Sequence, residues 1–187
     1  MNTLFRDLAK RMAALSPVGI EQEIIYNFLF GALYALIQAE RLHYPLQMEN
    51  PSKSAQRKDE VRLMAAKLAE HGHLSEQDYE WSGGFYFNDA LIRMAVCLEH
   101  LLRYRTGMRK HQKFAPLIKA AESEHGFNIS EFAPNWKDCK DELDAIRHRN
   151  WDYGSGPKVS YSMALDMITR LFDAVDWAFK GNCRADS

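Results

Sequence analysis

The chain has 187 residues, 47% of them hydrophobic and 26% charged, and its formal net charge at neutral pH is -1. That length normally makes one domain with a sizeable apolar core, and the balance of apolar and charged residues excludes a disordered chain. A net charge so close to zero supplies no global positive field for nucleic acid, so any such binding has to come from a local patch.

The start, Met1-Asn2-Thr3-Leu4-Phe5-Arg6-Asp7, carries charges before any apolar run develops and does not read as a signal peptide. Leu4, Phe5, Leu8, Met12 and Leu15 recur at three- and four-residue spacing and predict a first short helix. Ser16-Pro17 ends it, because proline disfavours helical geometry in the residue before it. A second helix is predicted from Ile20 to Leu42, apolar nearly all round through Ile24, Ile25, Phe28, Leu29, Phe30, Leu33, Leu36 and Ile37. Such a helix belongs at the centre of a bundle or in an oligomer interface, and Gly31 and Ala35 would let another helix approach closely. The longest apolar run, Ile24 to Ile37, contains Asn27 and is shorter than the ~20 residues of a membrane span. The expectation is a soluble cytoplasmic protein with no membrane partner.

His43-Tyr44-Pro45 closes the second helix, and Asn50-Pro51-Ser52 opens a polar stretch. Arg57 to Glu70 predicts a third helix with Val61, Leu63, Met64 and Leu68 on its apolar side. His71-Gly72-His73 follows; no third ligand shares a recognisable spacing with the two histidines, so they read as solvated groups suited to a helix C-terminus. Ser82-Gly83-Gly84 reads as a break, without the lysine and serine or threonine of a phosphate loop.

From Phe85 to Tyr104 the helical pattern is the best in the chain, with Phe87, Leu91, Met94, Ala95, Leu98, Leu101 and Leu102 on one stripe. Glu99 flanks that stripe and His100 points the opposite way. Arg103, Arg105, Arg109, Lys110, His111 and Lys113 then form a basic run around Gly107. A solvated helix end is the ordinary reading of such a run, which is also the best local electropositive candidate for phosphates. Phe114 to Glu124 predicts a short helix carrying Leu117 and Ile118, ended by Gly126, and Phe127 to Asn135 a connection. Trp136 starts the next helix and Pro157 lies in the turn after it. Ser160 is the predicted N-cap of a last helix, with Met163, Ala164, Met167, Ile168, Leu171, Phe172, Val175 and Phe179 facing inward. The whole predicts one all-α domain over residues 1–180, an up-and-down bundle of five to seven helices, with a frayed tail at 181–187.

Cys97, Cys139 and Cys183 are widely spaced and odd in number, which argues against a disulfide framework or zinc site. Cys97 and Cys139 fall on or beside apolar stripes as ordinary buried thiols, and no serine or cysteine has a base signature beside it. Asp138, Asp141, Glu142 and Asp144 share one helix and read as a solvated acidic face. No metal and no cofactor is expected.

The chemistry-bearing stretch is Leu143-Asp144-Ala145-Ile146-Arg147-His148-Arg149-Asn150-Trp151-Asp152-Tyr153-Gly154. With Leu143 at zero on a wheel of 100° per residue, Trp136 falls near ~+20°, Cys139 near ~-40°, Ile146 near ~-60° and Asn150 near ~-20°. Arg147, near ~+40°, shares that apolar side, whereas His148 and Arg149 fall well off it. A guanidinium against an apolar stripe needs a partner. An acid such as Glu99, a helix end, or a bound phosphate would serve.

The order of elements resembles the HEPN superfamily of small α-helical bundles. The helix Asn88-Asp89-Ala90-Leu91-Ile92-Arg93-Met94-Ala95-Val96-Cys97-Leu98-Glu99-His100-Leu101-Leu102 is similar to that family's helix containing Leu-Glu-x-Leu-Leu. The second match is Leu143-Asp144-Ala145-Ile146-Arg147-His148, followed by a turn and a final amphipathic helix beginning at Val159-Ser160. The resemblance covers residues 85–180 and implies a four-helix core with additional N-terminal helices. It also implies a homodimer in which two motifs face each other to form one composite, metal-independent ribonuclease site. In the family the arginine is followed by a polar residue and, four to six positions beyond the arginine, a histidine. Arg147 matches the arginine and His148 the polar residue, while the histidine position falls at Asp152-Tyr153, best at Tyr153. No histidine follows Trp151 in this chain.

That departure bears on the reaction. Cleavage by the RNA 2′-hydroxyl needs a base for its proton and a cation to steady the phosphorane. Arg147 suits the second task through paired donors, and histidine suits the first through a pKa near neutrality. Tyrosine, with a reference pKa of about 10, is a poor base at pH 7. Two readings follow. One is a weak HEPN-type endoribonuclease of stress, toxin–antitoxin or phage-defence settings, with Arg147 on phosphate and His148, Asn150 or Tyr153 assisting. The other is a catalytically degenerate module that binds RNA, a nucleotide or a protein partner such as an antitoxin or regulator, and keeps the dimer as a scaffold.

Overall fold

Helical periodicity organises the whole of what the structure describes. The computed structural model describes residues 3–42, 57–75, 83–107, 114–124 and 159–180. Among these residues lie six α-helices and no strand: α1 Thr3–Ala14, α2 Ile20–Arg41, α3 Arg57–His71, α4 Gly83–Thr106, α5 Phe114–Glu124 and α6 Tyr161–Lys180. The fold is the predicted all-α bundle.

In α1, Phe5, Leu8 and Met12 fall on one side of the helix and are buried. After Ala14 the Leu15 N–H still donates to the Arg11 and Met12 carbonyls at 3.2 Å each, and Pro17 stops the helix there. Arg11 ties this helix to the last one. Its guanidinium donates to Asp173 at 2.8 Å and Asp176 at 2.7 Å and lies over the Phe172 ring. All three groups are partly exposed, so the clasp contributes about 1 kcal/mol or less per pair.

The centre of the bundle is the pair α2 and α4, which make the most extensive helix–helix contact. Gln22 donates to the Tyr104 hydroxyl, the Cys97 thiol donates to the Ile25 carbonyl, Phe28 stacks on His100, and Gly31 lies against Arg93. From Gln22 to Gly31 on α2 the partner on α4 moves back from Tyr104 to Arg93, so the two helices run antiparallel. Ala32, Ala35 and Ala39 on α2 and Ala90 and Ala95 on α4 are buried among Ile25, Leu29, Leu36, Leu91, Met94 and Leu98. Side chains that small let the helices close on each other, and the large ones exclude water between them. Each fully buried Leu, Ile or Met contributes roughly 1.5–3 kcal/mol.

The other helices build outward from that pair. α5 packs on α4 through buried Leu117, Ala120 and Ala121, with Ile118 at the edge. α6 contacts α4, α2 and α1 through Ala164, Met167, Ile168, Leu171, Phe172, Val175 and Ala178. Its start is as predicted: the Ser160 hydroxyl accepts from the Met163 N–H at 3.2 Å and the Ser160 carbonyl from the Ala164 N–H at 3.0 Å.

Several expectations are refined. The apolar run ends at Ile37, but α2 continues through Arg41, and at 22 residues it is long and apolar enough to cross a membrane by length and composition. Ser82-Gly83-Gly84 does not separate two elements at the glycines: Gly83 and Gly84 form the first turn of α4, where Gly83 is buried and needs no side chain. The apolar side expected of α3 is only partly covered among the described residues: Leu63 is 57% and Leu68 46% exposed, while Met64 is half-buried. A spacing of apolar residues shows which face a helix can bury, not that a neighbour is there.

The close approach at Gly31 is made by the Arg93 side chain of α4, whose Nη1 and Cδ lie 2.7 Å and 2.9 Å from where a Cβ would sit. His100, directed away from the apolar stripe, is half-buried, and its imidazole stacks on Phe28 of α2 at 5.7 Å.

Candidate functional site

The residues singled out for chemistry, Arg147, His148, Asn150 and Tyr153, lie outside the described residues, as do Asp152, Cys139, the acidic group from Asp138 to Asp144, Cys183 and the tail 181–187. The structure does describe the frame on either side of them: α4, which carries the Leu98-Glu99-His100-Leu101-Leu102 motif, and the start of α6.

On α4 the apolar letters of that motif do what their spacing predicts. Leu98, Leu101 and Leu102 are buried, while Glu99 and His100 sit half-buried at the margins. Glu99 accepts from Arg103 Nη2 at 2.8 Å and from Arg103 Nε at 3.3 Å. The pair is i, i+4 with the acid nearer the N-terminus, the better orientation on a helix. An arginine arriving from elsewhere, as proposed for Arg147, would share a carboxylate already held by Arg103.

The basic run is less open than its composition implies. Arg103 is held by Glu99, and Arg105 lies over the Trp177 ring of α6 at 4.1 Å from its centroid. Among the described residues the buried Arg105 Nε has no hydrogen-bond partner. The first two cations of the run thus fasten α4 to itself and to α6. Gly107 closes the helix with φ +64°, a left-handed geometry that glycine adopts without strain. Arg109, Lys110, His111 and Lys113 lie outside the described residues.

At the other side of the undescribed stretch, Val159 is buried and Ser160 caps α6, so the chain after Tyr153 and Pro157 joins the bundle at a fixed point. Tyr161, the next residue, has its hydroxyl 3.5 Å from the Leu36 carbonyl and from the Glu40 carboxylate of α2. Burial pushes the Tyr161 phenol well above its usual range, with the Glu40 charge adding to the effect. It is a donor and a strut, not a base.

Sequence spacing gave no hint of the Tyr161–Glu40 and Arg105–Trp177 contacts. Each joins residues far apart in the chain, and neither leaves a periodic mark. Cys97 is the buried thiol expected: desolvation pushes its pKa far up, which removes it as a nucleophile. His71 and His73 are exposed at the end of α3, with the His73 ring hydrogen-bonded to the His71 carbonyl at 2.9 Å. Among the described residues no three His, Cys, Asp or Glu side chains come together as a metal site.

No protein-family model, no curated protein and no solved structure matches the chain.

Proposed function

We propose that the protein is a HEPN-like RNA-binding bundle of the cytoplasm in which Arg147 holds a backbone phosphate, and that its turnover of RNA is weak or lost. The single observation that supports the reading is the order of parts along the chain. A central helix bearing Leu98-Glu99-His100-Leu101-Leu102 comes first, then Arg147-His148 with Asn150 and Tyr153, and then an amphipathic last helix capped by Ser160. Arg147 offers a planar fork of donors to phosphate oxygens and keeps its charge at any physiological pH.

If cleavage occurs, the RNA 2′-hydroxyl attacks the adjacent phosphorus and its proton passes to a base, while the 5′-oxygen leaves and takes up a proton. The products are a cyclic phosphate and a 5′-hydroxyl. His148 and Asp152 are the groups available for the base role, since a tyrosine at 153 stays protonated at neutral pH. In this reading the protein acts as a homodimer, and an antitoxin-like or regulatory protein is its natural control partner.

Incubation of total RNA with the purified protein in EDTA, beside Arg147→Ala, tests the reading. Arginine-dependent fragments with 5′-hydroxyl ends identify a nuclease, and RNA retention without fragments identifies a binding module. One observation favours a second reading, a non-enzymatic dimeric scaffold: Arg103 and Arg105 are engaged inside the protein and do not present an open basic surface. In that case neither fragments nor RNA retention is seen.

A further inference from the structure

We propose that the solvent face of α2 is an antiparallel, self-complementary docking seam for a second copy of this chain. The proposal supplies a surface for the dimer in the reading above, yet it stands on α2 alone and holds whether or not RNA is bound.

The core-facing side of α2 is occupied by Ile25, Leu29, Ala32 and Leu36. The opposite side carries Ile20, Glu23, Asn27, Phe30, Tyr34, Ile37 and Arg41, a strict alternation of three and four residues through three full cycles. That is the spacing of a coiled-coil seam, on a helix that already spends its other face on its own bundle. The seam is open. Ile20 is 73%, Phe30 51% and Tyr34 52% exposed, and only Ile37 is half-buried. Phe30 and Tyr34 stack on each other at 6.4 Å, so two large rings stand side by side in water at the middle of the helix. Placing such rings in water is unfavourable, and covering them is what aromatic interface residues do.

The charges select the partner and its direction. Glu23 and Arg41 are the charged positions of the seam; both are exposed, and neither is ion-paired among the described residues. Their midpoint is residue 32, between Phe30 and Tyr34. A second copy of α2 running antiparallel about that point sets Glu23 against the other copy's Arg41, Asn27 against Ile37, and Phe30 against Tyr34. Every one of these contacts then occurs twice, as a two-fold axis requires. Every pair also joins the two alternate positions of the heptad, which is how antiparallel helices mesh. A parallel copy would instead face glutamate with glutamate and arginine with arginine, an arrangement like charges oppose. Gly31 lies at the edge of the crossing point.

Sedimentation across a concentration series, without RNA, tests this on the full chain. Wild type is expected to be a reversible dimer. Phe30→Glu keeps a good helix former at an exposed site, so at concentrations where both proteins are monomeric it should leave the thermal midpoint unchanged, while weakening the dimer by roughly 30-fold or more. Glu23→Arg and Arg41→Glu should each weaken it by roughly ten-fold, and a mixture of those two variants should restore association by pairing opposite charges. A wild-type monomer overturns the proposal, as does a dimer insensitive to Phe30→Glu. A dimer that ignores the charge reversals overturns the antiparallel register. Because no variant here touches residues 143–154, failure of the seam and failure of RNA recognition are read separately.

Discussion

Replacing Gly31 by alanine tests the packing of the central helix pair, and its outcome turns on a balance that can be worked out. Gly31 is in the interior of α2, where alanine is favoured over glycine by about 1 kcal/mol. Against that gain stands the Arg93 side chain, with Nη1 at 2.7 Å, Cδ at 2.9 Å and Cζ at 3.3 Å from the new Cβ. The guanidinium must move, and it is held by Asp89 at 2.7 Å in an i, i+4 pair that is about half exposed. Losing such a pair costs about 0.3–0.5 kcal/mol.

Displacing the stem at Cδ adds a cost of the same order. The expected result for Gly31→Ala is a stability within about 0.5 kcal/mol of wild type. In an Arg93→Ala background the obstacle is gone, and the same change should stabilise by about 1 kcal/mol. Urea denaturation of the four proteins of the cycle measures both. If Gly31→Ala costs more than about 2 kcal/mol even when Arg93 is truncated, helix backbone and not a side chain crosses at this glycine, and the described packing is wrong.

Other substitutions separate the packed from the open parts of the fold. Leu98→Ala should cost about 2–5 kcal/mol and Phe172→Ala about 3–5 kcal/mol, whereas Leu63→Ala on the partly covered side of α3 should stay within about 0.5 kcal/mol by the same denaturation assay. Ser160→Ala should cost about 1 kcal/mol through loss of the cap of α6. Stability should also fall in alkali. The Cys97 thiol is held neutral by burial, while in the unfolded chain it ionises above its ordinary value of 9.0. Above that pH the unfolded state therefore binds fewer protons, and each further unit removes about 1.4 kcal/mol. Cys97→Ala should be less stable near neutrality but lose that part of the slope, and an unchanged slope would contradict the burial.

The helices were legible in the sequence wherever an apolar stripe met a partner. Phe5, Leu8 and Met12, the α4 stripe from Phe87 to Leu102, and the Ser160 cap all appear where spacing and capping chemistry predict them. What spacing does not carry is the identity of the neighbour. Leu63 and Leu68 stay about half exposed, α4 meets Gly31 through the Arg93 side chain, and His100 finds a ring on α2.

The two glycines before Phe85 mislead for a related reason. Glycine is costly inside a helix but tolerable in its first turn, where a missing side chain can help the chain start against the core. At the candidate site, the α4 half was legible as a motif with Glu99 at its margin. That Arg103 already holds Glu99 follows from i, i+4 spacing alone, while the Arg105–Trp177 stacking depends on tertiary approach.

The measurement closest to the central claim is a binding titration of a labelled single-stranded RNA in EDTA with wild type and Arg147→Ala. The account predicts saturable binding by wild type and a loss of roughly 10–100-fold in affinity when the guanidinium is removed, with the dimer and the thermal midpoint retained. Equal affinity for the two proteins, or no binding by wild type, would contradict it.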